Sequence, residues 1–415
     1  MSDALVIVLP SRPAVRADGA CTLDLLVTIT PPAAAPAAGR PTLNLGLVLD
    51  RSGSMGEARK LAFAKQAADF AVKELADGDR VSVTIFDDRV ETIVPNAVPD
   101  KARVARLIEA VVPRGSTALF GGWAEGAAQV KTGHVAGGLN RVLLLSDGLA
   151  NVGEARPDVI ATEVHKAAAG GVSTSAVGLG ADYNEDLLEA MARSGDGNYY
   201  YVESPAQLPA LFAAELRGLS ATVGTDATFA VESAPGVVFS EVLNELDTTP
   251  DGRYRLPNLV SGMPVGVVVR VTVPGGEGEV PVARFRVEWT PANGDGKRVA
   301  VAGLTLPAVP SAVWDALPEN VEVKTQAALL IAARAKKAAT RASEAGDRAG
   351  SLAFLGVARD ATCAVPQTSE TEAELLALDQ LGALLVDDEV KFRKQAKYES
   401  HQRHRGKPYR PDEQQ

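Results

Sequence analysis

The stretch Leu43-Asn44-Leu45-Gly46-Leu47-Val48-Leu49-Asp50-Arg51-Ser52-Gly53-Ser54-Met55-Gly56 decides how the chain is read. Leu43–Leu49 is an almost continuous apolar run, the pattern of a strand covered on both faces. The run ends on a carboxylate, and hydroxyls follow two and four residues later in a tight Gly-containing loop. Side chains so spaced can converge on one point. They offer hard oxygen ligands suited to Mg²⁺, Mn²⁺ or Ca²⁺ rather than Zn²⁺. Alone, D-x-S-x-S equally describes an N-cap and turn before a helix.

The flanking pattern gives this loop a place. Arg59–Ala76 has helical spacing, with Leu61, Ala64, Ala68, Ala71 and Leu75 on one side. Val81–Phe86 is a strand, with Arg89–Val94 returning beside it; Lys101–Val111 and Ala118–Lys131 are helices. Val142–Leu145 is a second apolar strand. Helix Pro157–Ala169, strand Val172–Val177, helix Glu185–Arg193, strand Tyr199–Val202 and helix Pro205–Leu216 follow. Strands alternating with helices predict an α/β fold over 42–220, a doubly wound, mainly parallel sheet.

In such sheets ligands bind beyond the C-terminal ends of the strands. The Asp50 loop lies there. Ser146-Asp147-Gly148, after Val142–Leu145, delivers a second carboxylate to the same edge, and Arg114-Gly115-Ser116-Thr117-Ala118 opens a helix between them. Thr117 can cap that helix or turn its hydroxyl toward a metal. Three oxygen-bearing loops on one edge argue for a shared ligand over three separate caps. Asp50, Ser52, Ser54, Thr117 and Asp147 are therefore the candidate ligands of a divalent cation, Mg²⁺ first and Mn²⁺ or Ca²⁺ as alternatives. No catalytic residue and no organic cofactor site is assigned.

The run Leu47-Val48-Leu49-Asp50-Arg51-Ser52-Gly53-Ser54-Met55 resembles the metal-ion-dependent adhesion site of von Willebrand factor type A (VWA) domains. Gly115-Ser116-Thr117 looks like that family's threonine loop and Ser146-Asp147-Gly148 like its distal aspartate loop. Val177-Gly178-Leu179-Gly180 and Gly195-Asp196-Gly197-Asn198-Tyr199-Tyr200-Tyr201 match the usual end of the domain. The resemblance covers Thr42 to Leu216. It implies a Rossmann-like fold and direct coordination by Ser52, Ser54 and Thr117, with Asp50 and Asp147 close or acting through water. It also implies that an acidic side chain of a protein partner completes the shell. The flanking regions look like bacterial intracellular relatives of the inter-α-trypsin-inhibitor heavy chain and calcium-activated chloride-channel-regulator groups, on the order of their elements.

Outside this domain the pattern changes twice. Over 221–308 short alternating segments separated by Pro-Gly, Asp-Gly and Gly-Gly turns predict an antiparallel β-sandwich. Residues 1–40 hold two strand-like runs, Leu5–Leu9 and Cys21–Thr30, before a Pro/Ala/Gly connector, Pro31 to Pro41. An isolated hairpin is marginal in water, so residues 1–40 are expected to complete the sandwich, with the α/β domain inserted between its strands. Residues 311–398 are Ala-rich and predict a helical region, with patterns at Pro318–Glu344, Arg348–Asp360 and Glu370–Lys397. Lys391–Arg410 carries eight Lys/Arg residues against one acid. It reads as a solvated terminus, with 399–415 a disordered tail.

Composition excludes several roles. A net charge of −10 repels nucleic-acid phosphate and anionic membrane surfaces, so neither is an expected partner. No apolar stretch reaches the ~18–20 residues of a membrane span, and the N-terminus lacks the basic region of a secretory signal. Cys21 and Cys363 form no disulfide framework and read as two buried reduced thiols. A soluble, cytoplasmic protein is expected. Gly178-Leu179-Gly180 lacks the third glycine of a dinucleotide fingerprint, and there is no phosphate loop, nucleophile elbow or H-E-x-x-H. His134, His165, His401 and His404 sit in ordinary contexts, and Asp87-Asp88 reads as a turn rather than a metal pair. The expected function is a non-enzymatic, metal-dependent protein-interaction module of adhesion or scaffold type. The rival is a metal-dependent hydrolase or phosphoryl-transfer enzyme. Against it, no activated nucleophile, general base or phosphate-clamping lysine is evident near the loops, and Arg51 and Arg114 have no phosphate cradle beside them.

Overall fold

A computed structural model describes residues 4–33, 40–180, 182–292 and 296–405. The chain divides into two units, Pro36–Thr222 and a second assembled from Met1–Ala35, Val223–Pro291 and Gly296–Pro411.

Within Pro36–Thr222 a sheet of six strands has the order Val90–Ala97, Arg80–Phe86, Leu43–Asp50, Leu139–Ser146, Val172–Leu179, Asp196–Val202. All neighbours are parallel except Val90–Ala97, which returns antiparallel to Arg80–Phe86. Every residue of Leu43–Asp50 and of Leu139–Ser146 is buried, in keeping with their predominantly apolar runs. On one face Leu45, Leu47 and Leu49 pack against Ala64, Ala68 and Ala71 of helix Lys60–Glu74 and against Phe212 and Leu216 of helix Leu208–Ser220.

Helix Leu119–Thr132 lies on the opposite face, nearer than side chains would allow. A Cβ at Gly122 would stand 2.5 Å from the Phe86 ring and one at Gly126 2.2 Å from Val48. The one polar residue inside the first strand, Asn44, explains itself here. Its amide donates to the carbonyls of Val130 and Gly133 at 2.7 and 3.0 Å and to Asn140 at 2.9 Å, pinning the helix's far end. Register does the rest: Leu49 pairs with Leu145 and Asp50 with Phe86. The central strands therefore end level, and their loops emerge side by side.

The second unit holds two sheets. One has the order Leu5–Pro10, Cys21–Thr30, Val265–Val273, Val238–Val242, all antiparallel. The other runs Tyr254–Arg255, Thr222–Ser233, Glu279–Pro291, Arg298–Val309, Val15–Arg16, the last pair parallel. Leu23, Val27, Val267 and Val269 from the first and Phe229, Phe285 and Val287 from the second share one core. Helix Val321–Glu344 packs Val323, Ala327 and Leu330 on Leu26 and Val268 of the first sheet and on Leu243, just past its strand Val238–Val242. Its far half packs Ala332, Ala335 and Ala339 against helices Arg348–Cys363, Ser369–Asp387 and Glu389–His404. No described helix is long and apolar enough to cross a membrane.

Three expectations change here. The helical pattern Glu370–Lys397 is two helices, because Asp388 leaves helical geometry (φ −150°) and its side chain accepts from the Lys391 N–H at 3.0 Å. Residues 399–404, expected in a disordered tail, continue the last helix, with His401, Arg403 and His404 buried. The reason is acids on other helices: Lys397 meets Glu344 at 3.1 Å and Arg403 meets Glu370 at 3.6 Å. Residues 406–415 of the basic tail lie outside the described residues. Cys21 is buried as expected, but Cys363 is exposed at the end of its helix.

A polar cluster fastens helix Leu208–Ser220 to the α/β sheet. Buried Glu215 accepts from Ser175 at 2.6 Å, Asn198 at 2.7 Å and Tyr200 at 2.6 Å, with Arg141 at 3.9 Å. Burial alone would raise its pKa, but the Arg141 charge and the three donors outweigh burial and hold it below the usual value. A carboxyl with a depressed folded pKa contributes stability above its unfolded pKa near 4.5, lost as pH falls through the folded value. Glu215→Gln should lower the melting temperature of this unit at pH 7 and flatten its acid-side decline. Melting curves from pH 7 to 3 that keep the wild-type slope in the variant would contradict this.

Candidate metal centre

At the C-terminal edge of the α/β sheet the five sequence-assigned residues come together. Asp50 Oδ1 accepts from the Ser52 N–H at 2.7 Å and Oδ2 from the Ser146 hydroxyl at 2.5 Å. The Ser52 and Ser54 hydroxyls are 3.2 Å apart, and Ser54 donates to Asp147 Oδ1 at 2.8 Å. Thr117 joins them across Gly148. A Cβ built on Gly148 would lie 3.1 Å from the Thr117 hydroxyl and 3.7 Å from that of Ser54, so both oxygens border one small space that a side chain at this position would crowd. Asp50, Ser52, Thr117 and Asp147 are buried and Ser54 half-buried.

The alternative capping role can be tested directly. Ser52 precedes the Gly53–Arg59 turn and Ala118 precedes helix Leu119–Thr132, yet neither helical segment has a side-chain cap hydrogen bond. The Ser52 hydroxyl is thus not spent on capping; it meets the Ser54 hydroxyl instead. Burial pushes the Asp50 carboxyl up to about 6 against hydrogen bonds from Ser146 and Ser52, and the nearby Asp147 charge adds to the rise. A buried anion of this kind is stabilised by a cation beside it. Two carboxylates and three hydroxyls form a hard oxygen set that fits Mg²⁺, Mn²⁺ or Ca²⁺. Among the described residues no three His, Cys, Asp or Glu side chains group as metal ligands, so hydroxyls must be part of any shell here.

Comparison with known proteins identifies the segment that carries this edge. The model of the von Willebrand factor type A domain matches residues 44–214. This segment is a VWA domain. Over 200 residues the chain is 30% identical to Uncharacterized protein YfbK of Escherichia coli (strain K12), covering 48% of this chain and 35% of that protein. Over 176 residues it is 29% identical to inter-alpha-trypsin inhibitor heavy chain H3 of Homo sapiens, covering 40% of this chain and 20% of that protein. The chain thus spans only a fifth to about a third of the length of these two relatives. The structure of von Willebrand factor type A from Catenulispora acidiphila superposes with a TM-score of 0.70 at 18% identity, over 91% of this chain and 89% of that one. The ArnB paralog VWA2 from Sulfolobus acidocaldarius does so with 0.63 at 16% identity, over 97% and 98%. At such identities the likeness is one of fold alone.

Four further residues of the VWA domain reach this edge without having been assigned from sequence. Ser146 and Asn151 act by hydrogen bonds, Ser146 on Asp50 and Asn151 on the Thr117 N–H at 2.8 Å. Lys60 donates to Asp147 Oδ2 at 2.7 Å, so a lysine does stand among these loops, already engaged. Asp87, expected in a turn, does make one: its Oδ1 accepts from the Arg89 N–H at 2.7 Å. Its other oxygen clasps the loops. Asp87 Oδ2 accepts from Arg114 Nε at 2.6 Å and forms an ion pair with Arg51 at 2.9 Å. Backbone bonds run in parallel, from Arg114 N–H to the Arg51 carbonyl at 2.8 Å and from Gly53 N–H to that of Gly115 at 3.1 Å. Burial would raise the Asp87 carboxyl, yet the Arg114 and Arg89 hydrogen bonds and the Arg51 charge hold it below the usual value.

Asp87 is fully buried and Arg51 nearly so, whereas the Arg114 side chain is 45% exposed. Asp87→Asn leaves the nearly buried Arg51 with only the exposed Glu91 at 3.4 Å and should cost about 3 kcal/mol. Arg114→Ala, half in solvent, should cost roughly 1 kcal/mol or less. Urea unfolding of the two variants would measure the pair; equal losses would dispose of the clasp.

Proposed function

We propose that Asp50, Ser52, Ser54, Thr117 and Asp147 hold a divalent cation, Mg²⁺ first and Mn²⁺ or Ca²⁺ as alternatives, and that this VWA domain binds a protein partner through it. The observation that carries the reading is the shared cradle: the hydroxyls of Ser54 and Thr117, from two loops, lie about one point at Gly148 beside the buried carboxylates of Asp50 and Asp147. VWA domains are typically metal-dependent protein-interaction modules, and proteins built on them are generally adhesion or scaffold modules rather than enzymes. A bound dication with hydroxyls among its ligands keeps much of its charge and attracts an Asp or Glu carboxylate of a partner. The chain's own residues keep the donors level: Ser146 and the Ser52 N–H orient Asp50, and Ser54 and Lys60 orient Asp147.

The same reading takes the α/β unit as inserted in a β-sandwich, supported by the pairing of Cys21–Thr30 with Val265–Val273. Two free thiols, Cys21 and Cys363, suit a reducing compartment and support a cytoplasmic setting.

Calorimetric titration with Mg²⁺ and Mn²⁺ tests the site. Wild type should bind one dication, and Asp50→Ala should abolish binding with the protein still folded by its melting curve. Partner capture from a cell extract should disappear in excess EDTA and in Asp50→Ala alike. Equal capture in EDTA and in Mg²⁺ would sink the mechanism.

A further inference from the structure

Lys60 is a buried lysine inside a site built to hold a cation. Its ammonium donates to Asp147 Oδ2 at 2.7 Å, while Oδ1 of the same carboxylate accepts from Ser54 at 2.8 Å. Lys60 is the first residue of helix Lys60–Glu74, and its side chain is only 10% exposed. The backbone is bent to bring it there. Ala58 and Arg59, immediately before it, both have left-handed φ values, 46° and 59°. Such residues are strained and persist only where their surroundings determine them. A lysine left at the mouth of the helix in relaxed backbone would have pointed to water, as lysines nearly always do.

The charges at the edge follow. Asp50 and Asp147 are two carboxylates separated by the hydrogen bonds of Ser54, Ser52 and Ser146, and Lys60 brings one positive charge onto Asp147. With both acids ionised the cluster carries one net negative charge instead of two. A buried carboxylate pair without a counterion is costly, since like charges in a low-dielectric site oppose each other and their own desolvation.

We propose that Lys60 is the resident counterion of the dication site, holding Asp147 in place when no dication is bound and weakening dication binding when one is. It rests on the dication reading of the preceding section. The weakening serves recognition: a site with one net negative charge leaves more of the dication's charge for a partner carboxylate than a site with two. Like charges a few ångströms apart near a protein surface repel enough to change a binding constant on the order of tenfold or more.

The experiment is Mn²⁺ binding by calorimetry, with melting curves in EDTA and in excess Mn²⁺, on wild type, Lys60→Met and Lys60→Arg. Lys60→Met keeps the apolar stem and removes the charge. It should bind Mn²⁺ at least tenfold more tightly than wild type, melt lower in EDTA, and recover most of that loss in Mn²⁺. Lys60→Arg keeps the charge and should stay within about threefold of wild type. If Lys60→Met folds only with Mn²⁺ present, competition with a chelator gives its affinity. Failure to fold even then would overturn the proposal, because the dication would not be replacing the ammonium. Equal or weaker binding by Lys60→Met would also overturn it, leaving the lysine as a prop for Asp147. Binding by wild type without that gain removes only the counterion role; no binding by any of the three removes the dication reading along with it.

Discussion

Everything at the functional edge depends on strand register. Asp50 meets the Ser146 hydroxyl and the loops beside it only because Leu43–Asp50 pairs in parallel with both Arg80–Phe86 and Leu139–Ser146, ending level with each. A slip of one residue would turn the alternating side chains of a strand to the opposite faces and send its terminal carboxylate away from its neighbours. Burial on both faces makes such slips expensive, so the apolar core underneath is what gives the polar edge its precision. The Phe86 carbonyl, accepting from the Arg51 N–H at 2.9 Å, extends the ladder one step past the strand and into the loop itself.

Both units bury charge, and both do it by surrounding an ion with opposite partners. In the helical region Lys336, only 3% exposed, lies 2.6 Å from Glu374 and 2.9 Å from Glu399. Burial alone would lower its pKa, but the two carboxylates more than compensate and raise it. Removing one member of such a cluster strands the others, so clusters of this kind fix which helices may meet more than they add net stability. The same logic separates Asp87 from a surface acid: its two arginines come from two different loops, so its charge holds positions as well as balance.

Much of this was legible in the sequence, for physical reasons that differ by element. The strands Leu43–Leu49 and Val142–Leu145 announce themselves because burial on both faces leaves few polar residues, Asn44 being the exception, and the oxygen-bearing loops follow from where such strands must end. The order of β elements after residue 221 was legible from their turns. What stayed hidden depends on partners far away in sequence. Nothing around Lys60 marks it as buried, because its partner Asp147 arrives 87 positions later. Residues 399–404 look like the start of a solvated basic tail until Glu344 and Glu370, on other helices, are brought beside the residues around them. The break at Asp388 was invisible to periodicity, since the second helix buries mostly polar residues (Lys394, Lys397, Glu399, His401) and carries no apolar stripe whose phase could shift there.

The pairing of Cys21–Thr30 with Val265–Val273 also has a meaning in time. A ribosome adding roughly 5–20 residues per second completes the whole VWA domain before the second of these strands exists. For something on the order of tens of seconds the first strands wait with their hydrogen-bonding edges unmet by the sheet they belong to, a state prone to wrong pairing. The α/β domain pairs strands less far apart, Asp50 meeting Ser146 across 96 positions, and all its strands are made before Val265. Synthesis therefore favours an order in which the α/β domain is finished first and the second unit closes later, and the short strand Leu5–Pro10, with Leu5 and Ile7 still exposed in the finished fold, shares in that wait.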